Sequence, residues 1–266
     1  MVNIVSFFSM IWFLLKKNLY DFWDNLFKLA LVNIGFIVSL TFPIFVPSLF
    51  KTFQVLSLIT LIIGLFWCCI YLSAAAFSLK SISDYGSFSF SDFIKSLKKT
   101  WVFGLIFGGF VILGYFIVTL VIPFYMSLQS LFGLCVSALI FWAFIVTILA
   151  LQFLFAVRSR LSTNPIKVLK KCFILFFDNP LFFVFILIHN IIILVFSALT
   201  AFLFPGPAGI LLFIDESLRL RLLKYDWLEM NPKADRKAIP WGTLLVEDME
   251  KTGSRSFKNF FFPWKD

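Results

Sequence analysis

The chain has 266 residues, of which 61% are hydrophobic and only 14% are charged, whereas ordinary soluble domains are about 25% charged. Phenylalanine alone occurs 39 times, and the mean hydropathy is +0.98. A soluble domain of this size could not bury so much apolar surface, so the composition excludes a disordered chain, a secreted disulfide scaffold and a soluble enzyme. It predicts an all-α fold, a polytopic transmembrane helical bundle whose first partner is the lipid bilayer.

The net charge of +9 belongs to the loops and does not indicate a nucleic-acid partner. Residues 1–214 hold 13 Lys and Arg against 5 acids, all of them Asp, and the basic residues lie between apolar segments. Loops rich and poor in Lys and Arg alternate along the chain. By the positive-inside rule, this alternation predicts that the N-terminus is cytoplasmic.

The predicted elements begin with a helix over residues 4–17, which is too short to span a bilayer and is expected to lie in the interface. A crossing needs about 20 apolar residues. Four segments meet that length: Leu29–Phe50, Val55–Leu79, Trp101–Tyr125 and Leu131–Val157. A fifth apolar block, Leu181–Ile214, is interrupted by the stretch Pro205-Gly-Pro-Ala-Gly209.

A sixth crossing depends on residues 205–224, which carry Asp215, Glu216, Arg219 and Arg221. Each charge at the bilayer centre costs about 2.5–3.5 kcal/mol on insertion scales. Three interpretations are open. In the first, a sixth helix crosses and turns its charges toward the bundle interior. In the second, the chain turns near His189-Asn190 and spans again before the charges. In the third, there are five spans and the tail is outside.

An internal repeat favours six crossings. Ile94–Lys99 and Ile166–Lys171 both read I-K-x-L-K-K, and each precedes a long apolar run. Their lysines are expected to lie on the polar face of a helix at an anionic membrane surface; they are Lys95, Lys98, Lys99, Lys167, Lys170 and Lys171. We therefore predict three helical hairpins with basic interfacial helices, in units of about 1–80, 81–157 and 158–224, and cytoplasmic N- and C-termini.

Residues 225–266 are predicted to form a cytoplasmic C-terminal tail. Its aromatic segment Phe260–Trp264 is not expected to remain exposed to water. Three interpretations apply to it: docking on the cytoplasmic face of the same chain, insertion at the membrane interface, or binding to a partner subunit.

The sharpest candidate for a functional site is an intramembrane polar cluster on the last helix. Asp215 and Glu216 lie four and three residues before Arg219, a spacing that allows pairing on one helix face. Intramembrane carboxylates beside an arginine indicate function by default. His189 and Asn190 are further candidates, although hydrogen bonding inside the bundle is the simpler interpretation for both.

Small residues on the third span point to close helix packing. Gly104 and Gly108 form a G-x-x-x-G pattern, which lets two helix backbones approach each other. Packing within the chain is the first interpretation, and a homo-oligomer contact is the second.

No catalytic pattern is present. The sequence has one histidine, no H-E-x-x-H, no G-x-S-x-G, no P-loop and no dinucleotide fingerprint, and its four cysteines form no C-x-x-C pair. We predict no enzymatic activity, no metal and no cofactor.

Several short segments resemble the YesL-like family of bacterial integral membrane proteins. They are Leu40–Leu49 at the end of the first span, Phe90–Gly114, Asn179-Pro180 and Gly206-Pro207. The resemblance covers about residues 20–225 and implies a compact bundle of about six spans in a bacterial inner membrane. The charged last span and the added tail depart from the family pattern.

What the resemblance implies about function is a non-enzymatic accessory or assembly subunit of a carbohydrate uptake system, with ABC importer subunits as partners. It carries over no catalytic residue. A small transporter or channel acting on its own, built around the Asp215 cluster, is the alternative hypothesis, and a lipid-active membrane enzyme is a further one.

Overall fold

The structure is a computed structural model that describes residues 2–236 and 239–253, with side chains from residue 8 onwards. Within these residues it contains α-helices and one π-helical segment, and no strand, so the all-α prediction is confirmed. The elements are α1 Val2–Asp24, α2 Leu26–Leu49, α3 Gln54–Ser83, α4 Phe90–Phe116, a π-helix Ile117–Val121, α5 Ile122–Ser127, α6 Leu131–Leu151, α7 Leu154–Arg160, α8 Pro165–Asp178, α9 Pro180–Leu199, α10 Gly206–Met230, α11 Trp241–Leu244 and α12 Val246–Thr252.

Five helical segments among the described residues are long and apolar enough to cross a membrane. They are Leu26–Leu49, Gln54–Ser83, Phe90–Ser127, Leu131–Arg160 and Pro180–Leu199. These candidate spans are compatible with the predicted multi-pass helical bundle. Helix α10 does not join the five, because charged residues interrupt its apolar run.

The turn between α9 and α10 occupies residues 200–205. His189 and Asn190 lie inside α9, so the alternative that places a turn at these two residues is wrong. The break has a local cause, since Pro205 and Pro207 flank the start of α10 and proline cannot continue the preceding helix.

The two basic repeat segments fold differently. Ile166–Lys171 belongs to α8, a separate helix that ends before Asn179-Pro180. Ile94–Lys99 is instead the first part of α4 and continues into the span without interruption. The expectation of a separate interfacial helix is therefore wrong for the second unit, because no proline or other helix breaker stands between Lys99 and Trp101.

Helix α3 lies at the centre of the packing, against α2, α4 and α10. Its residues Ala74–Ala76 are buried, and small side chains there let the neighbouring helices come close. The outer faces of the spans carry exposed large apolar residues such as Leu61, Leu139 and Ile192. This distribution suits a bundle with a packed interior and lipid around it.

Helix α1 is longer than the predicted segment 4–17 and packs against α10. Met10, Phe13 and Leu14 are buried in this contact region, whereas Trp12 is 60% exposed. The C-terminal segment 239–253 also packs on the chain through the buried residue Leu245 and α11, which contacts α1. The aromatic end Phe260–Trp264 lies outside the described residues.

Candidate functional site

The start of α10 is held inside the bundle by an asparagine from α2. Asn33 is fully buried; its Oδ1 accepts a hydrogen bond from the Ala208 N–H at 2.9 Å. Its Nδ2 donates to the Leu203 and Pro205 carbonyls at 2.9 and 2.8 Å. A helix end buried among apolar residues needs such partners, because water is not there to supply them.

Asp215, nine residues further along α10, is paired with an arginine from α7. The Asp215 side chain is 1% exposed, and its Oδ1 accepts hydrogen bonds from Arg160 Nε at 3.0 Å and from the Ser159 hydroxyl at 3.2 Å. Arg160 also contacts Oδ2 of the same carboxylate, so the pair is bidentate. Arg160 Nη2 donates to Ser83 and Asp84 at the end of α3.

Arg219 links α10 to the C-terminal segment. Its Nη1 and Nη2 donate to the two carboxylate oxygens of Asp248 at 2.8 and 2.7 Å. Its Nε lies 3.5 Å from Asp84 Oδ1, so Asp84 stands between Arg160 and Arg219. Bidentate arginine–carboxylate pairs are among the stronger polar contacts in proteins. The arrangement joins α3, α7, α10 and α12.

Tyr85 lies at the junction of these elements, in the loop after α3. Its backbone has a φ of 59°, which turns the chain sharply. The Lys17 ammonium stands 4.1 Å from the centre of its ring, and the Arg219 guanidinium stands 5.3 Å from it. Its hydroxyl donates to the Asp248 carbonyl at 3.3 Å. Burial, together with the charge of Asp248, raises the pKa of this hydroxyl, which therefore remains a donor.

Glu216 differs from the other charged residues of this site in its lack of a hydrogen-bonded partner among the described residues. It is fully buried, and neither carboxylate oxygen has a hydrogen-bond partner among the described residues. The nearest cation is Lys17 of α1, whose Nζ lies 3.9 Å from Oε1 and also contacts Asp21. Lys17 is itself only 1% exposed. A buried carboxyl that lacks hydrogen bonds is costly to maintain.

The predicted pairing along α10 is wrong. Asp215 and Glu216 do not pair with Arg219 in the described contacts; their partners come from α7 and α1. The sequence held one signal for this outcome. Residues 1–214 contain only five acids. Two of them pair with basic residues far away in sequence, Asp84 with Arg160 and Asp178 with Lys224, whereas Asp21 and Asp92 pair with lysines of their own helices. In so apolar a chain, an acid is therefore a candidate partner for a basic residue on another helix.

A second polar contact ties the far end of α10 to α8. Asp178 Oδ2 accepts hydrogen bonds from the Tyr225 hydroxyl at 2.6 Å and from Lys224 Nζ at 3.2 Å. Partial burial acts to raise the pKa of Asp178, but these two donors outweigh it, and the pKa lies below its ordinary value. Both ends of α10 are therefore anchored to neighbouring helices.

His189 and Asn190 form no contact with the ion pairs of Asp215 and Arg219 in the described part of the chain. The His189 ring stacks on Phe213 at 3.7 Å between centroids. Asn190 is 8% exposed, and its Oδ1 has no hydrogen-bond partner among the described residues.

Gly104 and Gly108 face α3 within the same chain. A Cβ at Gly104 would stand 2.4 Å from Ile70 Cα, and one at Gly108 would stand 2.6 Å from the Phe66 ring. The structure thus places both glycines at a close approach of two helices.

The predicted membrane-surface lysines lie at the lysine-rich ends of α4 and α8. Five of them are exposed: Lys95, Lys98, Lys99, Lys167 and Lys170. Lys171 is half-buried and donates to the Leu161 carbonyl at 3.2 Å. Among the described residues, no group of three or more His, Cys, Asp or Glu could hold a metal ion.

Comparison of the chain with models of known protein families, with curated proteins and with solved structures finds no match. The resemblance to the YesL-like family therefore stays a prediction. What can be argued about function comes from the membrane-type helices and from the buried contacts of α10.

Proposed function

We propose that this chain is a non-enzymatic accessory or assembly subunit of a solute-uptake system in a bacterial inner membrane. A carbohydrate ABC importer is the first partner to test, because that is what the resemblance of its sequence segments implies. In this proposal the chain crosses the membrane six times, and both termini are cytoplasmic.

The observation that carries the proposal is how the charges of α10 are used. Asp215 and Arg219 are paired with Arg160 and Asp248 inside the chain. These ion pairs join α10 to α7 and to the C-terminal segment. Residues occupied in this way support an architectural role better than a transport pathway, in which polar groups face a water-filled space. The result is a structured C-terminal face that a partner subunit could recognise.

Purification tests the proposal directly. The tagged chain is extracted from membranes of its own host in a mild detergent, and co-purifying proteins are quantified by mass spectrometry. We expect transporter subunits in a constant ratio to the chain. The variant Asp248→Asn, which removes the charge that holds Arg219, should reduce that ratio. Glu247→Gln is the matched control, since Glu247 lies in the same helix and its pair with Lys251 is exposed.

Recovery of the wild-type chain alone, from host membranes in which the importer subunits are detectable, would count against the accessory role. The six crossings have a separate test in a reporter fused to the C-terminus. We expect cytoplasmic reporter activity, and a periplasmic signal would contradict the proposed topology.

A small transporter or channel is the second candidate, and Glu216 favours it. A buried carboxyl that has no hydrogen-bond partner in the described part of the chain and lies 3.9 Å from a buried lysine can exchange a proton or bind a cation if the bundle opens. Glu216→Gln is a sharper probe than Asp215→Asn, because Asp215→Asn also disturbs the hydrogen bonds of Asp215 with Arg160 and Ser159.

The test uses vesicles that contain only the purified chain. Flux of protons, cations or sugars that falls in Glu216→Gln, while the protein stays folded, would support a transporter. Vesicles without flux above protein-free controls would leave the accessory role as the better account.

A further inference from the structure

Two cavities of opposite character lie along α4. The first is polar, has a volume of about 360 Å³ and is lined by Lys80, Lys95 and Lys99 together with four serines and two aspartates. Lys95 is 66% exposed and pairs with Asp92, whereas Lys80 donates to the Ser159 carbonyl at 3.3 Å. The Ser78, Ser81 and Ser96 hydroxyls donate to backbone carbonyls of their own helices. The three ammonium groups are therefore what suits the cavity to an anion such as a phosphate group.

The second cavity is an apolar groove of about 710 Å³ between α4 and α6. This volume falls within the roughly 300–1,000 Å³ that is typical of ligand pockets. Thr119 and Thr147 line the groove, but their hydroxyls donate to the Tyr115 and Ala143 carbonyls of their own helices at 2.7 and 2.8 Å. Gln152 also lines the groove; its Nε2 donates to the Leu149 and Phe183 carbonyls, and its Oε1 has no partner among the described residues. The rest of the lining is mostly apolar and suits hydrocarbon.

The two cavities share one face of α4. Lys99, Phe103, Phe107 and Phe110 follow at spacings of four, four and three residues, so they lie along one side of the helix. Phe107 of the groove is eight residues beyond Lys99, a distance of about 12 Å along the axis. The lysines therefore stand near one end of the apolar groove.

Arg158 of α7 adds a further positive charge at the junction. Its Nη2 donates to the Lys99 carbonyl at 3.3 Å, and its guanidinium carbon lies 5.1 Å from the centre of the Phe103 ring. The side chain thus joins the lysine-bearing part of α4 to the part that lines the groove. Positive charge beside an apolar slot is the arrangement expected for a lipid with an anionic headgroup.

We propose that this face of α4 binds one anionic phospholipid, with its phosphate in the polar cavity and an acyl chain in the groove between α4 and α6. The lysines attract the anionic headgroup. The groove surrounds the acyl chain and holds it in place, which a flat helix surface could not do. The site does not depend on the accessory role proposed above.

The test measures phospholipid bound to the purified full chain. The protein is reconstituted in vesicles of phosphatidylcholine and phosphatidylglycerol, re-extracted in mild detergent and analysed for retained lipid by mass spectrometry. We expect about one phosphatidylglycerol per chain, in preference to phosphatidylcholine. Two variants should lower retention by about fivefold or more: Ala143→Phe, which fills the groove, and Lys95→Gln with Lys99→Gln, which removes two headgroup charges.

Each variant has a matched control. Ala138→Phe adds the same ring to α6 at an exposed position outside the groove. Lys167→Gln with Lys170→Gln makes the same charge change on the exposed surface of α8. Both controls should retain lipid like the wild type. If Ala143→Phe fails to fold, the lysine pair still decides, because Lys95 and Lys99 are exposed.

Four results would overturn the proposal. Equal retention in test and control variants would exclude the site. Equal retention of phosphatidylcholine would exclude selection by the headgroup. Binding of inorganic phosphate alone to the polar cavity, with no lipid retained, would assign that cavity to soluble phosphate. If Ala143→Phe changes the oligomeric state of the purified chain but not the amount of retained lipid, the groove is a contact between copies of the chain.

Discussion

Replacing Gly104 by alanine should destabilise the bundle, whereas the same change five residues away should not. The added methyl group at Gly104 would stand 2.4 Å from Ile70 Cα and 2.7 Å from its backbone nitrogen. Backbone atoms cannot rotate aside, so α3 and α4 must move apart. Gly109 is the internal control, since a Cβ there would meet nothing within 4 Å.

The magnitude follows from the geometry. Overpacking a close contact costs about 1–3 kcal/mol, and a gap of about 0.5–1 Å along the interface removes a quarter to a half of each dispersion contact. The gain in helix propensity from Gly to Ala is small here, because separated transmembrane helices stay helical. We expect Gly104→Ala to be about 2–3 kcal/mol less stable than Gly109→Ala, which corresponds to about 30- to 150-fold in the unfolding equilibrium.

Unfolding of the purified chain by sodium dodecyl sulfate in mixed micelles provides the measurement, followed by tryptophan fluorescence. Trp67 and Trp101, two of the eight tryptophans, line a cavity beside the α3–α4 contact, so part of the change in emission comes from this helix pair. Gly108→Ala should fall between the other two variants, because its obstacle is the Phe66 side chain, which can rotate.

Equal stability of Gly104→Ala and Gly109→Ala would refute the close approach of α3 and α4. Another outcome would support the alternative interpretation of Gly104 and Gly108 as a contact in a homo-oligomer. If Gly104→Ala leaves the unfolding free energy unchanged but converts a purified dimer into a monomer, the glycine face serves association between copies of the chain.

Three further changes test the polar contacts. Arg219→Gln should increase hydrogen exchange of residues 239–253 by about tenfold or more, since hydrogen bonds to charged groups contribute about 1.5–3 kcal/mol each; unchanged exchange would show that the segment is held by apolar packing alone. Asn33→Ala should lower the free energy of unfolding by about 1–3 kcal/mol by leaving the Ala208 N–H without its acceptor, and thermal unfolding that matches the wild type would contradict that role. The pKa of Asp178 is depressed, so its contribution to stability is present above about pH 4, the ordinary pKa of an aspartate, and is lost as the pH falls through the lower pKa of the folded state. Asp178→Asn should remove this acid-dependent part of the unfolding free energy, measured between pH 3 and pH 7. An unchanged pH profile would exclude Asp178 as its source.

The spans were predictable because bilayer thickness sets a length that the sequence shows directly. Uninterrupted apolar runs of about 20 residues predict the five candidate spans regardless of how the helices pack. Boundaries were less predictable. A surface helix and a span share the 3.6-residue period, so the basic start of α4 could not be separated from its apolar part by periodicity. Asn179-Pro180 did mark the break between α8 and α9, because the residue before a proline is disfavoured in a helix.

The partners of α10 could not be predicted from spacing along the helix. Asp215 and Arg219 satisfy the i, i+4 rule, but such pairs are worth only about 0.3–0.5 kcal/mol on an exposed helix. Within a bundle, a bidentate arginine from another helix competes better for a buried carboxylate. Arg160 lies 55 residues before Asp215 in the chain, so only the folded structure brings the two together.

The ion pairs of α10 are better explained by the need to fix the register of this helix than by a gain in stability. Replacing a buried ion pair by apolar residues is often neutral or stabilising, so such pairs are weak evidence for stability, and their best-attested use is to specify one register. Helix α10 slides along α3 only if Asp215 leaves Arg160 and Arg219 leaves Asp248 together, while Asn33 releases its first turn. A one-turn shift of about 5.4 Å would break all three contacts at once. Glu216 follows the same rule, since the shift would also carry its Oε1 away from Lys17 Nζ, which lies 3.9 Å from it.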